Sequence, residues 1–430
     1  MGDELLSGDT VNTNASDIGS RCRELGITLD QVITVRDRIE EISAAIRQAA
    51  DADVCFVSGG LGPTSDDRTA EAAAHAAGVE LRRDGAAVAR LEAKFAAMGY
   101  EMPAMNLKQA DFPATATIVP NPIGTAEGFM VPVRGCPVYV MPGVPREMRR
   151  MFDTEVAPAV AQRHELVPTP RRMYRSLGRG ESSLAHDIEP IVEQARRRPG
   201  LESLFVHYRA TSPQVLVVLE AEPVPGSGEN LDVHTALREL DSPILKAMEP
   251  AIYGIGDDTL ADRVVDALRR AGLRLCVAES CTAGGLGAAI TAVPGSSAVF
   301  DGGIISYADT VKVGVLGVDP RVLETHGAVS EPVVRAMAEG ARKAIGSDLA
   351  VSITGIAGPG GGSAEKPVGT VHIDVFDGEA HLHKTLKLRG NRGTVRHCSH
   401  QWALKLVWDR LCARGLASVL FSPDPHEPLS

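Results

Sequence analysis

The run Asp53-Val54-Cys55-Phe56-Val57-Ser58 leads directly into Gly59 and Gly60. Short apolar runs that end in glycine are typical of strands buried on both faces of a parallel sheet. The alanine-rich residues 67–78 that follow favour a helix. Because strand, glycine-rich turn and helix are the parts of a βαβ unit, this stretch predicts an α/β fold.

The same order of elements recurs twice along the chain. The apolar runs 136–141 and 273–278 each lead into a glycine-containing loop and then a helical pattern. Between them, residues 182–196 favour a helix and residues 214–221 a strand. We therefore predict two α/β domains with mainly parallel sheets, joined by a small α+β domain.

Further elements complete the prediction. A turn-rich break is predicted at 223–229, and helices at 39–50, 231–248, 259–271 and 392–411. Strands are predicted at 304–307, 349–354 and 370–376, and the hydroxyl of Ser330 is predicted to cap a helix.

The composition of the 430 residues excludes several classes of protein. A net charge of -11 and 4% aromatic residues argue against nucleic-acid binding. No apolar run of about 18 residues is present, so no membrane span is predicted. Seven cysteines at irregular spacing and a start without a signal-peptide pattern lead us to expect reduced thiols in a cytoplasmic protein.

Three side chains near predicted strand ends suggest amide chemistry. Ser280 follows the strand 273–278, Tyr307 ends the strand 304–307, and Lys312 lies five residues further on. A serine needs a neighbouring base before it can attack, and a lysine is such a base only when burial lowers its pKa. On spacing alone, a structural alternative is favoured. In this alternative, Ser280 caps a helix, Tyr307 lies at the edge of the core and Lys312 is solvated.

Two backbone features support ligand binding near these side chains. The helix that begins after Ser280 would present N–H groups to an oxyanion or a phosphate. The glycine-rich loop 354–362 follows another strand and would let backbone approach a ligand closely. The histidines at 381, 383, 397 and 400 lack carboxylates at metal-site spacing, so no metal is predicted there.

A second glycine-rich segment, residues 58–69, predicts a phosphate site in the first domain. The glycines would clear space for a phosphate on backbone N–H groups, and Asp66 with Asp67 would hold Mg²⁺ against it. In the alternative reading Asp66 caps a helix and the glycines form a plain turn.

Five motifs in the C-terminal part of the chain carry a family resemblance. They are Ala278-Glu279-Ser280-Cys281-Thr282-Ala283-Gly284-Gly285, Pro294-Gly295-Ser296-Ser297, Ser306-Tyr307, His326-Gly327-Ala328-Val329-Ser330 and the loop at Gly355. Together they resemble the CinA C-terminal domain. That family includes the amidase PncC, which converts nicotinamide mononucleotide to nicotinate mononucleotide and ammonia. The resemblance covers about residues 255–415 and implies a reaction without a metal or other cofactor.

The resemblance also implies a set of site residues. It assigns Ser280, Ser297, Tyr307 and Lys312 to catalysis, and either serine remains open as the nucleophile. The residues implied for substrate binding are Thr282, Gly284, Gly355, Gly358, Arg392 and Arg396. Ala283 stands where the family usually has glycine, and its methyl group is expected to crowd the ligand.

Residues 1–158 resemble the CinA N-terminal domain, which is similar to the molybdopterin-binding MoaB/MogA fold. The motifs are Gly2 to Gly8, Ser58 to Thr69, Asn106 to Ala110, Asn121 to Ala126 and Met141 to Met148. The resemblance implies hydrolysis of the pyrophosphate of ADP-ribose with a divalent metal such as Mg²⁺. The phosphate and metal site then comprises Asp37, Gly59, Gly60, Gly62, Thr64, Asp66, Asp67, Lys108, Gly124 and Thr125.

Two departures concern this first domain. Family members carry a strand before Gly-Asp-Glu-Leu-Leu, whereas this chain opens with Met1 on that motif, so we expect a misplaced start. Arg36 replaces the glycine that usually precedes Asp37.

The middle segment resembles the small KH-like domain of full-length CinA proteins. We predict domains at 1–158, 165–250 and 255–418, with a loose tail at 419–430. The KH-like domain lacks a basic GXXG loop, so we expect a spacer or dimerisation role and no nucleic-acid binding. The expected partners are small-molecule nucleotides and, from the family, a second copy of the chain.

The chain is thus predicted to be a bifunctional enzyme that deamidates nicotinamide mononucleotide and cleaves a nucleotide pyrophosphate. Two alternatives remain open. One is a protein that binds a molybdopterin-like cofactor without turnover. The other is a competence or DNA-damage accessory protein with vestigial sites.

Overall fold

The computed structural model describes residues 1–164, 166, 169–221 and 232–421, which form two compact units, Met1–Thr169 and Pro170–Ser430. The predicted break at 223–229 and most of the predicted tail at 419–430 lie outside the described residues. The predicted division into three domains stays a prediction.

The first unit alternates helices and short strands. Its helices are α1 (Asp3–Ser7), α2 (Thr13–Glu24), α3 (Ile39–Ala49), α4 (Thr69–Ala77), α5 (Gly85–Ala97), α6 (Pro145–Met151) and α7 (Ala157–His164). Its strands are β1 (Cys55–Ser58), β2 (Leu81–Arg83), β3 (Asp111–Pro113), β4 (Thr117–Val119), β5 (Gly128–Val133) and β6 (Cys136–Met141).

Its main sheet has the strand order β1-β6-β5-β4 and is covered on both faces. On one face, Ile42 and Ile46 of α3 pack with the alanines of α4 against the sheet. On the other face, Ile18 and Met148 pack against Tyr139. Burial on both faces explains why β6 is apolar along its whole length.

The second unit begins with a four-stranded antiparallel sheet and continues into a five-stranded one. Its strands are β7 (Arg171–Leu177), β8 (Phe205–Thr211), β9 (Gln214–Glu220), β10 (Ile252–Ile255), β11 (Leu275–Glu279), β12 (Phe300–Ile305), β13 (Leu349–Gly355), β14 (Thr370–Phe376) and β15 (His381–Lys387). Its helices are α8 (Glu181–Ala195), α9 (Val233–Arg238), α10 (Asp241–Met248), α11 (Leu260–Ala271), α12 (Gly285–Thr291), α13 (Asp309–Gly314), α14 (Pro320–His326), α15 (Glu331–Ile345) and α16 (Arg392–Ala413).

The five-stranded sheet, in the order β12-β11-β13-β14-β15, carries the predicted amidase residues. Helix α15 covers one face through Val333 and Met337. Helices α11 and α16 cover the other face with a core that includes Val264 and Leu404. Strands β11, β12 and β13 run parallel, so their carboxyl ends share one edge of the sheet.

The predicted α/β class is confirmed, but the described sheets are mixed rather than mainly parallel. In the first unit only β1 and β6 pair in parallel, and β14 and β15 join the five-stranded sheet antiparallel. The reason is that short turns, such as Arg134-Gly135 between β5 and β6, join neighbouring strands as hairpins.

Two local predictions also change. The predicted helix 231–248 is two helices, α9 and α10, over its described part. Ser330 precedes α15 but does not cap it, because its hydroxyl donates to the Gly327 carbonyl oxygen at 2.8 Å. Within the described residues, no helix combines the length and apolar character that crossing a bilayer requires.

Candidate active site

A cavity of about 260 Å³ lies at the shared carboxyl edge of β11, β12 and β13. Its lining residues are Ser280, Cys281, Tyr307, Asp309, Lys312, Ala328, Val329, Thr354, Gly355, Ile356, Ala357, Gly358, Gly360, Gly361 and Arg392. The structure therefore brings together three of the four predicted catalytic residues and three of the six predicted binding residues, Gly355, Gly358 and Arg392.

Lys312 is buried at the cavity wall, with 1% of its surface exposed. Its Nζ donates to the Tyr307 carbonyl oxygen at 3.3 Å and to Asp309 Oδ1 at 3.0 Å. The predicted alternative of a solvated Lys312 is wrong. A buried amine beside a cavity is placed to exchange a proton with a bound ligand.

Tyr307 is 59% exposed, so it is not the core edge residue of the alternative reading. Its hydroxyl accepts a hydrogen bond from Arg392 Nη2 at 3.3 Å. Arg392 Nη1 also donates to the Gly358 carbonyl oxygen at 2.9 Å. Arg392, in the first turn of α16, thus connects Tyr307 to the glycine loop.

The glycine loop lines the cavity and carries several unpaired backbone N–H groups. Among the described residues, the N–H groups of Ala357, Gly358, Gly360 and Gly361 have no hydrogen-bond partner. A side chain on Gly360 would meet nothing within 4 Å, so this part of the wall is open. Such a cluster of unpaired N–H groups suits an anion.

The predicted anion position at the start of α12 is wrong. The buried Glu279 carboxylate already accepts hydrogen bonds there, from Gly284 N at 3.0 Å, Leu286 N at 3.1 Å and Gly287 N at 2.9 Å. Those N–H groups are therefore not free for a ligand. Ser280 itself does not cap the helix, because Gly284 holds that position.

Ser297 does not join the cavity. It is exposed in the turn that precedes β12, whereas Ser280 follows β11. Since the two strands run parallel, these residues lie at opposite edges of the sheet. The distance between the two edges is roughly 20 Å, the length of a strand of six residues. Within one chain, the serine beside Lys312 is Ser280.

The predicted binding residues Thr282, Gly284 and Arg396 lie behind the cavity wall. Arg396 Nη2 donates to the Thr282 carbonyl oxygen at 2.8 Å. The Thr282 hydroxyl is buried and has no partner among the described residues. These residues shape the Ser280 turn rather than line the cavity.

Ala283 adopts a left-handed conformation, with φ of 48°, in this turn. That conformation costs an L-residue about 1–2 kcal/mol, more than the entropy glycine loses on folding. We expect Ala283→Gly to raise the free energy of unfolding by about 0.5 kcal/mol in urea denaturation. The control Ala292→Gly, in right-handed conformation at the end of α12, should lower it. An equal decrease in the free energy of unfolding of both variants would contradict backbone strain at Ala283.

In the first unit, three predicted loops lie together at the carboxyl edge of β1 and β6. A Cβ on Gly143 would lie 3.3 Å from the Gly59 Cα. Gln109 Nε2 donates to the Leu61 carbonyl oxygen at 3.2 Å and to Thr125 Oγ1 at 3.4 Å. Lys108 Nζ donates to the Thr64 carbonyl oxygen at 2.8 Å. Of the predicted residues, Thr64, Lys108 and Thr125 thus belong to one cluster.

The glycines of these loops make room for the chain's own groups. A Cβ on Gly60 would meet the Thr69 hydroxyl, and one on Gly62 the Asp67 carboxylate. A Cβ on Gly59 would lie 2.7 Å from the Met1 carbonyl oxygen, and one on Gly124 would meet Glu147. Close packing of the chain's own groups is therefore a sufficient reason for these glycines, and the phosphate site stays a prediction.

The acidic residues predicted for this site have different surroundings. Asp67 Oδ2 accepts a hydrogen bond from Thr64 N at 2.9 Å, whereas Asp66 is exposed and does not cap α4. Asp37 accepts one from Asp3 N at 3.2 Å, and burial raises the pKa of Asp37.

The described residues contain no group of three or more histidine, cysteine or acidic side chains that could hold a metal. Mg²⁺, however, commonly takes only one or two carboxylates and completes its shell with substrate phosphates and water. Asp66 and Asp67 fit a cation of that kind.

Comparisons with known proteins agree with these two units. A family model described as "CinA C-terminal domain" matches residues 257–411, and one described as "Probable molybdopterin binding domain" matches residues 1–162. A CinA-like protein from Geobacter sp. (strain M21) is 38% identical over 415 residues, which are 96% of this chain and 97% of the relative. The chain belongs to the CinA family.

Other CinA relatives show similar agreement. The CinA-like protein of Geobacter metallireducens is 40% identical over 96% of this chain and 98% of its own. The solved structure of competence/damage inducible protein CihA from Agrobacterium tumefaciens is 41% identical and covers 34% of this chain and 91% of that chain, with a TM-score of 0.34.

Sequence reasoning missed several residues of this CinA family member. It gave Glu279 no role, although an acidic residue between an apolar strand and a predicted catalytic serine is a signal in itself. Lys94 and Glu147 were missed in the first unit, where Lys94 Nζ donates to the Gly124 carbonyl oxygen at 2.8 Å. Asn121 Nδ2 donates to Glu147 Oε2 at 2.7 Å.

Proposed function

We propose that the second unit hydrolyses the carboxamide of nicotinamide mononucleotide to nicotinate mononucleotide and ammonia. One observation carries the proposal: the buried Lys312 amine and Ser280 line the same cavity, next to a loop of unpaired backbone N–H groups. Membership of the CinA family agrees with this assignment but does not name the substrate.

In the proposed reaction, Ser280 Oγ attacks the carboxamide carbon and Lys312 Nζ accepts the hydroxyl proton. The Cys281 N–H group, which donates to no other backbone group among the described residues, donates to the oxyanion that forms. Collapse of this intermediate breaks the C–N bond, and the nitrogen leaves as ammonia with the proton from Lys312. Water then hydrolyses the acyl-Ser280 ester and releases the carboxylate.

The rest of the cavity suits the ribose phosphate of the substrate. The unpaired N–H groups of Gly360 and Gly361 and the guanidinium group of Arg392 together offer donors and one positive charge. Tyr307 lies between Arg392 and Lys312, because its hydroxyl accepts from Arg392 and its carbonyl oxygen accepts from Lys312. In this proposal the phosphate binds at Arg392 and the glycine loop, away from the amide at Lys312.

Ammonia release by the full chain tests this function. Nicotinamide mononucleotide should yield equal amounts of ammonia and nicotinate mononucleotide, whereas the riboside, which lacks the phosphate, should react far more slowly. EDTA should leave the rate unchanged. Absence of ammonia from the mononucleotide would overturn the proposal.

We also propose that the first unit cleaves the pyrophosphate of ADP-ribose with a divalent cation. The clustering of Thr64, Lys108 and Thr125 beside Asp66 and Asp67 supports this second activity. The two carboxylates would hold the cation, which would supply positive charge to the phosphates, and the Lys108 ammonium group would contact the same anion. Binding of a molybdopterin-like cofactor without turnover is the competing function.

Asp67→Asn is expected to lower AMP release from ADP-ribose by about a hundredfold, because the cation loses a charged ligand. EDTA should stop AMP release as well, and ammonia release should be unaffected by either treatment. Asp84→Asn, which changes a half-buried helix cap in the same unit, is the control. Full pyrophosphatase activity in Asp67→Asn would contradict the cation site, and no AMP from the wild type would favour cofactor binding.

A role as a competence or DNA-damage accessory is the other competing function. It predicts no turnover by either unit. A homodimer in the cytoplasm stays a prediction from the family and from the cysteine content.

A further inference from the structure

Glu279 is a buried carboxylate without a cationic partner. It is 1% exposed and, among the described residues, forms no ion pair. The nearby His400 ring lies against Gly285, and burial lowers the pKa of His400 to about 4, so this ring is neutral at pH 7. A buried charge needs compensation, which here comes from backbone N–H groups.

These N–H groups come from the start of α12. Glu279 Oε2 accepts from Gly284 N and Leu286 N, and Oε1 accepts from Gly287 N. The carboxylate thus joins the end of β11 to the beginning of α12 and closes the turn between them. Ser280, which follows Glu279, is part of that turn.

The turn has other restraints besides Glu279, among them the Thr282 carbonyl oxygen, which accepts from Gly285 N at 3.1 Å and from Arg396 Nη2 at 2.8 Å. Ser280 N donates to the Ile353 carbonyl oxygen at 3.0 Å, and Ala283 N to the Ser280 carbonyl oxygen at 3.1 Å. Two consecutive residues, Ala283 and Gly284, are left-handed. The hydroxyls of Thr282 and Ser306 near the turn are buried without partners among the described residues, so they add no restraint. A strained turn persists only where its surroundings hold it.

We infer that Glu279 is a positioning residue that holds the Ser280 hydroxyl at the cavity wall. It does not line the cavity and touches no substrate. The inference rests on the proposed function, because it assigns Ser280 as the nucleophile. Small displacements of a nucleophile cost much of the rate, so loss of the Glu279 hydrogen bonds should slow catalysis in protein that remains folded.

The test measures Glu279→Gln and Glu279→Ala in the full chain by two readouts. A fluorophosphonate probe reports the reactivity of Ser280 by intact mass, and ammonia release from nicotinamide mononucleotide gives kcat and KM. Glutamine keeps one acceptor oxygen, so the labelling rate and kcat should fall about tenfold in Glu279→Gln and about a hundredfold in Glu279→Ala. KM should change by less than about threefold, since the cavity wall keeps its binding groups.

The control is Asp377→Asn in the turn between β14 and β15. Asp377 is also a buried carboxylate, and it accepts from Glu379 N at 3.1 Å and Ala380 N at 3.0 Å but does not line the cavity. Thermal unfolding sets a temperature at which all variants are folded. Asp377→Asn should lower stability while its labelling rate and kcat stay within about twofold of the wild type.

The outcomes separate the two proposals. If the wild type is labelled at Ser280 but releases no ammonia, the substrate assignment fails and the labelling rates alone decide the role of Glu279. Wild-type labelling rates in folded Glu279→Gln and Glu279→Ala would overturn the positioning role, as would a wild-type Ser280 that does not react. If Glu279→Ala does not fold, Glu279→Gln decides.

Discussion

Replacing Lys312 by methionine is expected to lower kcat for ammonia release by about a thousandfold or more. Methionine fills most of the buried space of the lysine but cannot accept the Ser280 proton. The cavity should still bind substrate, because Arg392 and the glycine loop are unchanged, so KM or the dissociation constant should change little. Steady-state kinetics and calorimetric binding measure the two effects separately.

Lys405→Met is the matched control for this substitution. Lys405 is also buried, donates to the Pro250 carbonyl oxygen at 3.0 Å and pairs with Asp409, but it lies in α16 and does not line the cavity. The Lys405→Met variant should have a lower free energy of unfolding, but its kcat should equal that of the wild type while it is folded. Retention of wild-type turnover by Lys312→Met would remove the lysine from the mechanism.

Ser280→Ala is expected to abolish ammonia release, with a loss of at least about a thousandfold. Ser297→Ala, its matched control, should retain activity within about threefold, because Ser297 is exposed at the opposite edge of the sheet. Both substitutions remove one hydroxyl, so the comparison depends on location alone. Kinetics of the two variants and of the double variant measure the effect.

The reverse result would overturn the assignment of Ser280 as the nucleophile in a site formed by one chain. If Ser297→Ala is inactive and Ser280→Ala is active, the nucleophile comes from the turn before β12. Such a result would require either a different arrangement of that turn or a second chain that supplies Ser297. Recovery of activity when inactive Ser297→Ala is mixed with inactive Lys312→Met, which keeps Ser297, would demonstrate the second case.

Local signals in the sequence were sufficient for most elements near the site. The strands 136–141 and 370–376 have the predicted bounds, because each is an apolar or alternating run bordered by turn residues. The strand before Ser280 and the loop after β13 followed from the same pattern. Residues placed directly at strand ends, such as Ser280 and Gly355, were therefore assigned to one edge correctly.

Other features depend on contacts between distant residues, which a linear pattern does not contain. Ser297 was grouped with Ser280 although helix α12, which lies between them, returns the chain to the opposite edge of the sheet. The glycines at 59, 60, 62 and 124 suggested space for a phosphate, and only the fold reveals the side chains and backbone that fill that space. Glu279 could not be recognised as a helix partner until the chain reversal after Thr282 was known.

The loop from Ala357 to Gly361 has a consequence for how this pocket responds to mutation. Its contribution to recognition comes from main-chain donors, which every amino acid except proline carries. Replacing Gly360 with alanine therefore leaves its donor in place, because a Cβ there meets nothing within 4 Å, and a conventional scan would undercount this part of the wall. Amide-to-ester exchange at single positions, which deletes an N–H and keeps the side chain, is the perturbation matched to such a surface.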